Sequence, residues 1–544
     1  MSGVEPTRLN PSAHQDTFCR DHLPPADQWP DLVFDLPELR YPQRLNCAVE
    51  LVDAVAERHG SDRTCLITPA GEQWTYGDLV ARTNQVARTL TEDYGIVPGN
   101  RVLLRGPNNP WMVAALFGVI KAGAVAVTTM PMLRPGELST IAEITRPDLA
   151  LCDHRFVADL AAAELGGAPI MTFGRADDPG DLSARAATKP ADFVSIDTAA
   201  DDVVLLAMTS GTTGRPKATM HFHRDVLAIA DTFSANVLRP TADDLFTGTP
   251  PLAFTFGLGG LLVFPLRVGA STLLVEKSTP DELADLIAAH KVSICFTAPT
   301  GYRAMLTAGK ADALRSLRRA VSAGEHLPET TWRAFVDATG VALIDGIGST
   351  EMLHIFISAA DDNIRPGATG KPIPGYQATI LDLDGNPVPP GTLGRLAVKG
   401  PTGCRYLDDA RQAVYVQNGW NITGDTFVED ADGYFIYQAR NDDMIISAGY
   451  NIAGPEVEEA LLAHADVVEC CVVGVPDEAK GQVVKAYVVL RAGTTGDDDL
   501  ARGLQEFARQ RIAPYKCPRL IEFATELPRT STGKLQRYVL RAAG

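Results

Sequence analysis

The densest set of groups suited to chemistry lies in residues 203–217. There the apolar run Val203-Val204-Leu205-Leu206-Ala207-Met208 leads into Thr209-Ser210-Gly211-Thr212-Thr213-Gly214-Arg215-Pro216-Lys217. Glycines let backbone N–H groups approach a polyphosphate, hydroxyls add donors and a lysine adds charge, so a strand feeding this loop reads as a phosphate cradle. It is not the Gly-x-x-x-x-Gly-Lys-Ser/Thr loop, because two residues separate Gly211 from Gly214 and Arg215-Pro216 precede Lys217. A flexible Ser/Thr/Gly surface turn is the competing reading. Just beyond, His221-Phe222-His223 alternates along the chain, but no cysteine or third ligand stands nearby. The two histidines are therefore expected to pack near a substrate and not to hold zinc.

Elements able to position such a loop are legible on both sides of it. Thr75-x-x-Asp78 is a capping pair ahead of apolar positions at helical spacing from Leu79, and Val102-Leu103-Leu104 then reads as a strand. The alternation continues through Trp111–Lys121, Ala124–Met130, Gly136–Thr145, Leu149–Cys152 and Val203–Met208, the pattern of a largely parallel sheet with crossover helices. Between Gly391 and Tyr437 short strands with glycine and aspartate turns predict a small antiparallel β unit. The tail predicts helix Glu456–Ala463, strands Val467–Val473 and Val483–Leu490, helix Asp499–Arg509 and strand Arg519–Phe523, enough for a compact α+β domain.

With 544 residues, 45% of them hydrophobic and 21% charged, the chain is multidomain and buries a sizeable core. A net charge of −18 argues against a nucleic-acid surface or an anionic membrane as partner. Its uncharged apolar stretches, Trp111–Ile120 and Phe256–Leu266, fall short of the about 20 residues a bilayer span needs, and the first residues lack an apolar signal region. Nine cysteines, an odd count without a Cys-x-x-Cys pair, fit buried free thiols, so a reducing, cytoplasmic location is expected.

Thr209–Lys217 resembles the phosphate signature of the adenylate-forming superfamily of acyl-CoA synthetases, nonribosomal adenylation domains and luciferases. Four further segments follow in that family's order: Gly346-Ile347-Gly348-Ser349-Thr350-Glu351, Thr423-Gly424-Asp425, Arg440-Asn441-Asp442-Asp443 and Pro528-Arg529-Thr530-Ser531-Thr532-Gly533-Lys534. The resemblance implies an α/β fold: a large N-terminal AMP-binding domain (1–438) with α/β layers and a small β-barrel, and a smaller mobile α+β C-terminal domain (439–544) hinged near Asp442. It implies ATP, Mg²⁺ and coenzyme A, an acyl-adenylate intermediate, and release of AMP and pyrophosphate. Residue by residue, it places Lys534 at the reacting carboxylate, Thr209–Gly214 and Lys217 at the β/γ-phosphates, Thr350 at the α-phosphate and Glu351 at Mg²⁺. Asp425 and Arg440 fall on the ribose, and Gly324, Glu325, Asp345, Gly346 and Ile347 complete the nucleotide site. Gly449 and Tyr450 fall on the coenzyme A tunnel. Taken singly, Glu351, Asp425 or Arg440 reads as a surface salt-bridge residue; the motif context reverses that.

Two departures from the superfamily pattern point to the acid. Ala253-Phe254-Thr255-Phe256 carries Phe254 where many members have histidine, and Ile347-Gly348 stands for Tyr-Gly. Both resemble the benzoate-CoA ligase branch, as does Asp345–Phe356. An aryl acid is implied, with Phe254, Phe256, Ile347 and Ile355 as a flat apolar slot beside Gly348, and His354 offering a polar group to the carboxylate or a ring substituent. Plain core packing is the alternative for these apolar residues. Phe18–Trp29 and Arg44–Glu50 look more like 2-aminobenzoate-CoA ligases, and Thr255 offers a hydroxyl to an amino or hydroxy substituent. The runner-up functions are an aryl-acid adenylating enzyme that loads a carrier protein, and a nucleotide-binding homologue without catalysis. A homodimer is permitted, and Lys534 stands in a setting like that of acetylated lysines in related synthetases.

Overall fold

The structure is a computed structural model that describes residues 9–209, 215–440, 443–447, 450–477, 481–512, 514, 516–529 and 535–543. Helix Tyr76–Arg88 begins at the expected pair: the Asp78 backbone N–H donates to Thr75 Oγ1, and the Thr75 N–H donates back to the Asp78 carboxylate, each at 3.0 Å. Its apolar face, Leu79, Val86 and Ala87, is buried against helix Pro110–Lys121.

The expected parallel pattern is present, but it is divided between two sheets. A six-stranded sheet runs, in spatial order, Ile170–Phe173, Leu149–Asp153, Arg101–Arg105, Val125–Thr129, Val203–Thr209 and Lys217–Phe222. Only its last strand is antiparallel, and Thr209 and Lys217, the two ends of the phosphate-loop candidate, pair across it. A nine-stranded sheet takes strands from Thr64–Ile67 through Lys371–Pro372, with Leu343–Gly348 parallel to Arg319–Ala323 and antiparallel to Ile355–Ser358. One hydrophobic core, including Phe117, Phe233, Phe246 and Phe296, joins elements of both. Local periodicity shows strands and crossover helices but not which strands pair, and that choice is what divides the sheets.

The antiparallel β unit comprises Gln377–Leu381, Leu393–Lys399, Val416–Gln417, Trp420–Glu429 and Phe435–Arg440. The boundary expected between residues 438 and 439 falls inside its last strand, which runs through Arg440. The C-terminal part matches its expected elements closely: helices Gly454–Leu462 and Asp498–Arg509, strands Val467–Asp477 and Gly481–Leu490 paired antiparallel, and Leu520–Ala524 parallel to the second. Cys470 and Cys471, successive on one strand, enter different buried clusters on opposite faces of this sheet. Among the described residues no helix is long and apolar enough to cross a membrane.

Candidate functional site

Where the phosphate hairpin meets the turn after strand Leu343–Gly348, three side chains converge. Lys217 Nζ lies 3.7 Å from Glu351 Oε1. The Tyr406 hydroxyl bridges them from one side, accepting from Lys217 Nζ at 2.6 Å and donating to Glu351 Oε1 at 2.5 Å. Glu351 and Tyr406 are buried, and burial together with the Glu351 carboxylate drives the tyrosine pKa far above its ordinary range. The hydroxyl therefore stays a donor. A second tyrosine, Tyr415, packs edge-on against Tyr406 with ring centroids 5.8 Å apart, and its hydroxyl lies 3.2 Å from Ser349 Oγ.

Thr350 is seated from behind. His221, fully buried, donates from Nε2 to the Thr350 carbonyl at 2.8 Å, and burial lowers its pKa to about 4, so the neutral ring fixes this tautomer. Next to it, Arg405 and Asp225 form a buried ion pair at 2.8 Å. His221 thus lies at the candidate site as expected. His223 does not: its Nδ1 accepts from the Cys47 N–H at 3.1 Å, which turns it toward the N-terminal segment.

The turn Thr350–Leu353 carries an unusual backbone. Leu353 has φ 68°, left-handed and disfavoured for a branched side chain. It is held by full burial and by its N–H donating to the Thr350 carbonyl at 3.2 Å. This twist delivers His354 into an aromatic cage, with ring centroids 4.6 Å from Phe264, 5.4 Å from Phe233, 5.8 Å from Phe256 and 6.5 Å from Phe296. Burial pushes the His354 pKa down to about 3, with only partial relief from the nearby Phe256 main chain. Among the described residues neither ring nitrogen has a hydrogen-bond partner. A buried, neutral imidazole with both nitrogens unused is costly in an apolar cage.

Two glycines make the approach possible. A Cβ on Gly348 would lie 2.6 Å from the His354 carbonyl oxygen, and one on Gly259 would lie 2.4 Å from His354 Cδ2. Gly259 opens a π-helical segment, Gly259–Val263, in the helical stretch that starts at Thr255 with Phe254 as its N-cap. Phe254, Thr255, Phe256 and Ile347 are half-buried, and Ile355 is buried against Gly346. Of the slot residues expected from sequence, Phe256 borders the His354 ring and Gly348 its main chain.

Asp425 and Arg440 are direct cross-strand partners in the β unit, so both side chains leave the same face. Gly424, at φ 80°, leaves room for the Arg440 guanidinium, whose Nη2 is 3.4 Å from where a Cβ would stand. At the far side of the nucleotide candidates, Glu325 pairs with Arg529 of the C-terminal part at 2.9 Å, and Arg529 also contacts Glu469. Gly324 precedes it at φ 89°. Asp345 has its pKa raised to about 8 by burial, against which hydrogen bonds to the Gly346 main chain and Thr369 act only in part. Ser210–Gly214, Asp442, Gly449 and Lys534 lie outside the described residues; Tyr450 begins a strand, Tyr450–Ile452, that pairs with Ile445–Ser447.

Tyr406 and Tyr415 carry no signal of their own in the sequence, and Arg529 stands in the Pro528–Lys534 motif without a role of its own there. Tyr406 is 189 residues from Lys217 and 55 from Glu351, and only the fold brings them together.

A family model described as "AMP-binding enzyme" matches residues 52–405, and one described as "AMP-binding enzyme C-terminal domain" matches residues 456–534. The benzoate–CoA ligase of Thauera aromatica is 34% identical over 521 residues, 93% of this chain and 98% of that protein. Among solved structures, the anthranilate CoA ligase AuaEII in complex with anthranoyl-AMP superposes with a TM-score of 0.88 at 33% identity, covering 93% of this chain and 99% of that one. A benzoate CoA ligase from Burkholderia xenovorans LB400 gives a TM-score of 0.84 at 30% identity, covering 91% and 100%.

Proposed function

The chain belongs to the AMP-binding enzyme family, in its benzoate–CoA ligase branch, and from that premise we propose that it is an AMP-forming aryl-CoA ligase acting on a benzoate-type acid, with 2-aminobenzoate the substituted acid to test first. The observation that carries the reading is the junction of two sites at one turn. Residues 346–351 hold Glu351 against the phosphate-hairpin lysine, and three residues later the chain enters an aromatic cage with His354 unpartnered.

In the first half-reaction a carboxylate oxygen of the acid attacks the α-phosphorus of ATP, and the bond to pyrophosphate breaks to leave an aryl-adenylate. In the second, the coenzyme A sulfur attacks the acyl carbon and AMP leaves. Negative charge gathers on phosphate and carboxylate oxygens in the first step, so fixed cations and N–H donors aimed at them supply most of the assistance. We assign the residue 209–214 loop and Lys217 to the β/γ-phosphates, Thr350 to the α-phosphate and Lys534 to the reacting carboxylate. Asp425 and Arg440 are assigned to the ribose, where an ionised acceptor strengthens O–H donation. Gly324, Glu325, Asp345, Gly346 and Ile347 line the rest of the nucleotide site, and Gly449 and Tyr450 the pantetheine path. His354 is assigned to a polar substituent or carboxylate oxygen of the acid, within the slot of Phe254, Thr255, Phe256, Gly348 and Ile355.

One carboxylate, Glu351, stands beside the phosphate lysine, and Mg²⁺ is ordinarily held by one or two carboxylates plus substrate phosphates and water, so this donor set fits that ion. When bound it neutralises charge on the phosphates. A cytoplasmic location and a homodimer belong to the same proposal; buried free thiols support the first.

The test is product analysis with benzoate, 2-aminobenzoate and palmitate, each with ATP and coenzyme A. Aryl-CoA, AMP and pyrophosphate are expected from the aryl acids, with far less product from palmitate. Comparable kcat/KM for palmitate would overturn the aryl assignment, and aryl-adenylate that never passes to coenzyme A would favour a carrier-protein acceptor.

A further inference from the structure

Lys217 and Glu351 pose a problem when the nucleotide site is empty. A lysine and a carboxylate 3.7 Å apart, with side chains only 14% and 8% exposed, attract one another strongly across a low-dielectric gap. Closing into direct contact would satisfy both and withdraw the lysine from the ATP phosphates. The Tyr406 hydroxyl bridges the two and gives each a hydrogen-bond partner, so neither needs the other in direct contact.

We propose that Tyr406 is a positioning residue of the nucleotide site, a neutral spacer that hydrogen-bonds Lys217 and Glu351 and holds them out of direct contact, so that Lys217 remains available to the ATP phosphates and Glu351 to the ion that accompanies them. This rests on the assignment of Lys217 to the ATP phosphates. A hydroxyl suits the task because it donates once and accepts at two lone pairs, so it serves a cation and an anion together. The tyrosine is itself held firmly. Its ring packs edge-on against Tyr415, its backbone N–H donates to Gln412 Oε1 at 2.9 Å, and its chain bridges Thr219 on the phosphate hairpin. The Lys217 ammonium also lies 4.3 Å from the Tyr406 ring centroid, which steadies the cation above the ring when the hydroxyl contact is exchanged for phosphate. Phenylalanine would keep the ring and lose the spacer.

The experiment measures ATP affinity by calorimetry with the full-length protein in EDTA, where no metal competes for Glu351. Tyr406→Phe should weaken metal-free ATP binding roughly tenfold, the scale of one hydrogen bond to a charged group, while the melting temperature stays within a few degrees. If the loss comes from collapse of the ion pair, it should vanish in a Glu351→Gln background, where the lysine has no carboxylate to close on. Glu351→Gln alone is the reference for the double variant, since removing a carboxylate beside the phosphate lysine changes affinity for the ATP anion through its own charge. Lys217→Ala serves as the control for the underlying site and should abolish most of the binding. Undiminished ATP affinity in Tyr406→Phe, with Lys217→Ala weakened, would overturn the spacer while leaving the phosphate assignment standing. A loss that persists in the Glu351→Gln background would overturn it too. Wild-type affinity in Lys217→Ala would remove the phosphate assignment and the spacer with it.

Discussion

Gly259→Ala perturbs the acid slot through His354 without altering any side chain assigned to ATP. The added methyl would lie 2.4 Å from His354 Cδ2, 2.8 Å from its Nε2 and 3.1 Å from Phe264 Cζ, whereas carbon atoms rest about 3.5–4.0 Å apart. The imidazole must therefore shift by about 1 Å. Phe264 stands edge-on at 4.6 Å and Phe233 at 5.4 Å, so the open direction is toward the half-buried slot residues. Two opposing effects set the stability change. Replacing glycine in a helical segment gains about 1 kcal/mol in conformational entropy, and overpacking a filled core costs about 1–3 kcal/mol. Overpacking wins, leaving a net loss of about 1 kcal/mol and a melting temperature lower by a few degrees. The displaced histidine should lower kcat/KM for the aryl acid by about 5–100-fold while KM for ATP stays within twofold. Pyrophosphate release measured at varied acid and at varied ATP separates these. A raised melting temperature with an unchanged KM for the acid would mean that helix propensity won and that the cage is not the constraint described here.

Lys534→Ala should remove a charge contact made in the adenylating transition state, at about 3–4 kcal/mol or roughly 10²–10³-fold, while conversion of supplied aryl-adenylate to aryl-CoA is nearly unaffected. Equal losses in both half-reactions would refute the assignment. Asp345 makes a pH-dependent contribution: its folded-state pKa is raised to about 8, so the stability it lends is full below the ordinary carboxylate pKa and is lost as pH rises toward 8. Asp345→Asn should therefore raise the melting temperature of the ligand-free protein more at pH 8 than at pH 5, and an equal gain at both would show that the carboxyl is not buried.

Sequence motifs located what is local. The Thr75 capping pair, the strand into residue 209 and the helices and strands of the C-terminal part all depend on near neighbours, and they fall where expected. What depends on distant pairing did not show. Two sheets share one alternating pattern, and Tyr406 looks like any tyrosine in a turn until the hairpin and the strand 343–348 turn close around it. His354 stood out by motif, but its cage is assembled by Phe233, Phe264 and Phe296, each from a different element, and by a left-handed Leu353 that no propensity favours. His223 illustrates the converse, since alternation with His221 placed it beside the site and an N-terminal segment captured it instead.

An aryl-adenylate is an acylating agent, and any thiolate within its reach competes with coenzyme A for the acyl group. All nine of the protein's own cysteines are buried. Burial pushes the thiols of Cys19, Cys65, Cys152, Cys295 and Cys471 up to about 12, so at neutral pH they are almost wholly protonated and poor nucleophiles. Cys404 lies closest to the chemistry, one residue from the Arg405–Asp225 pair and two from Tyr406, and burial together with the Glu351 carboxylate holds its thiol well above the ordinary range. The fold thereby protects the enzyme from acylating itself: the only competent sulfur at the activated acid is the one that arrives on the substrate.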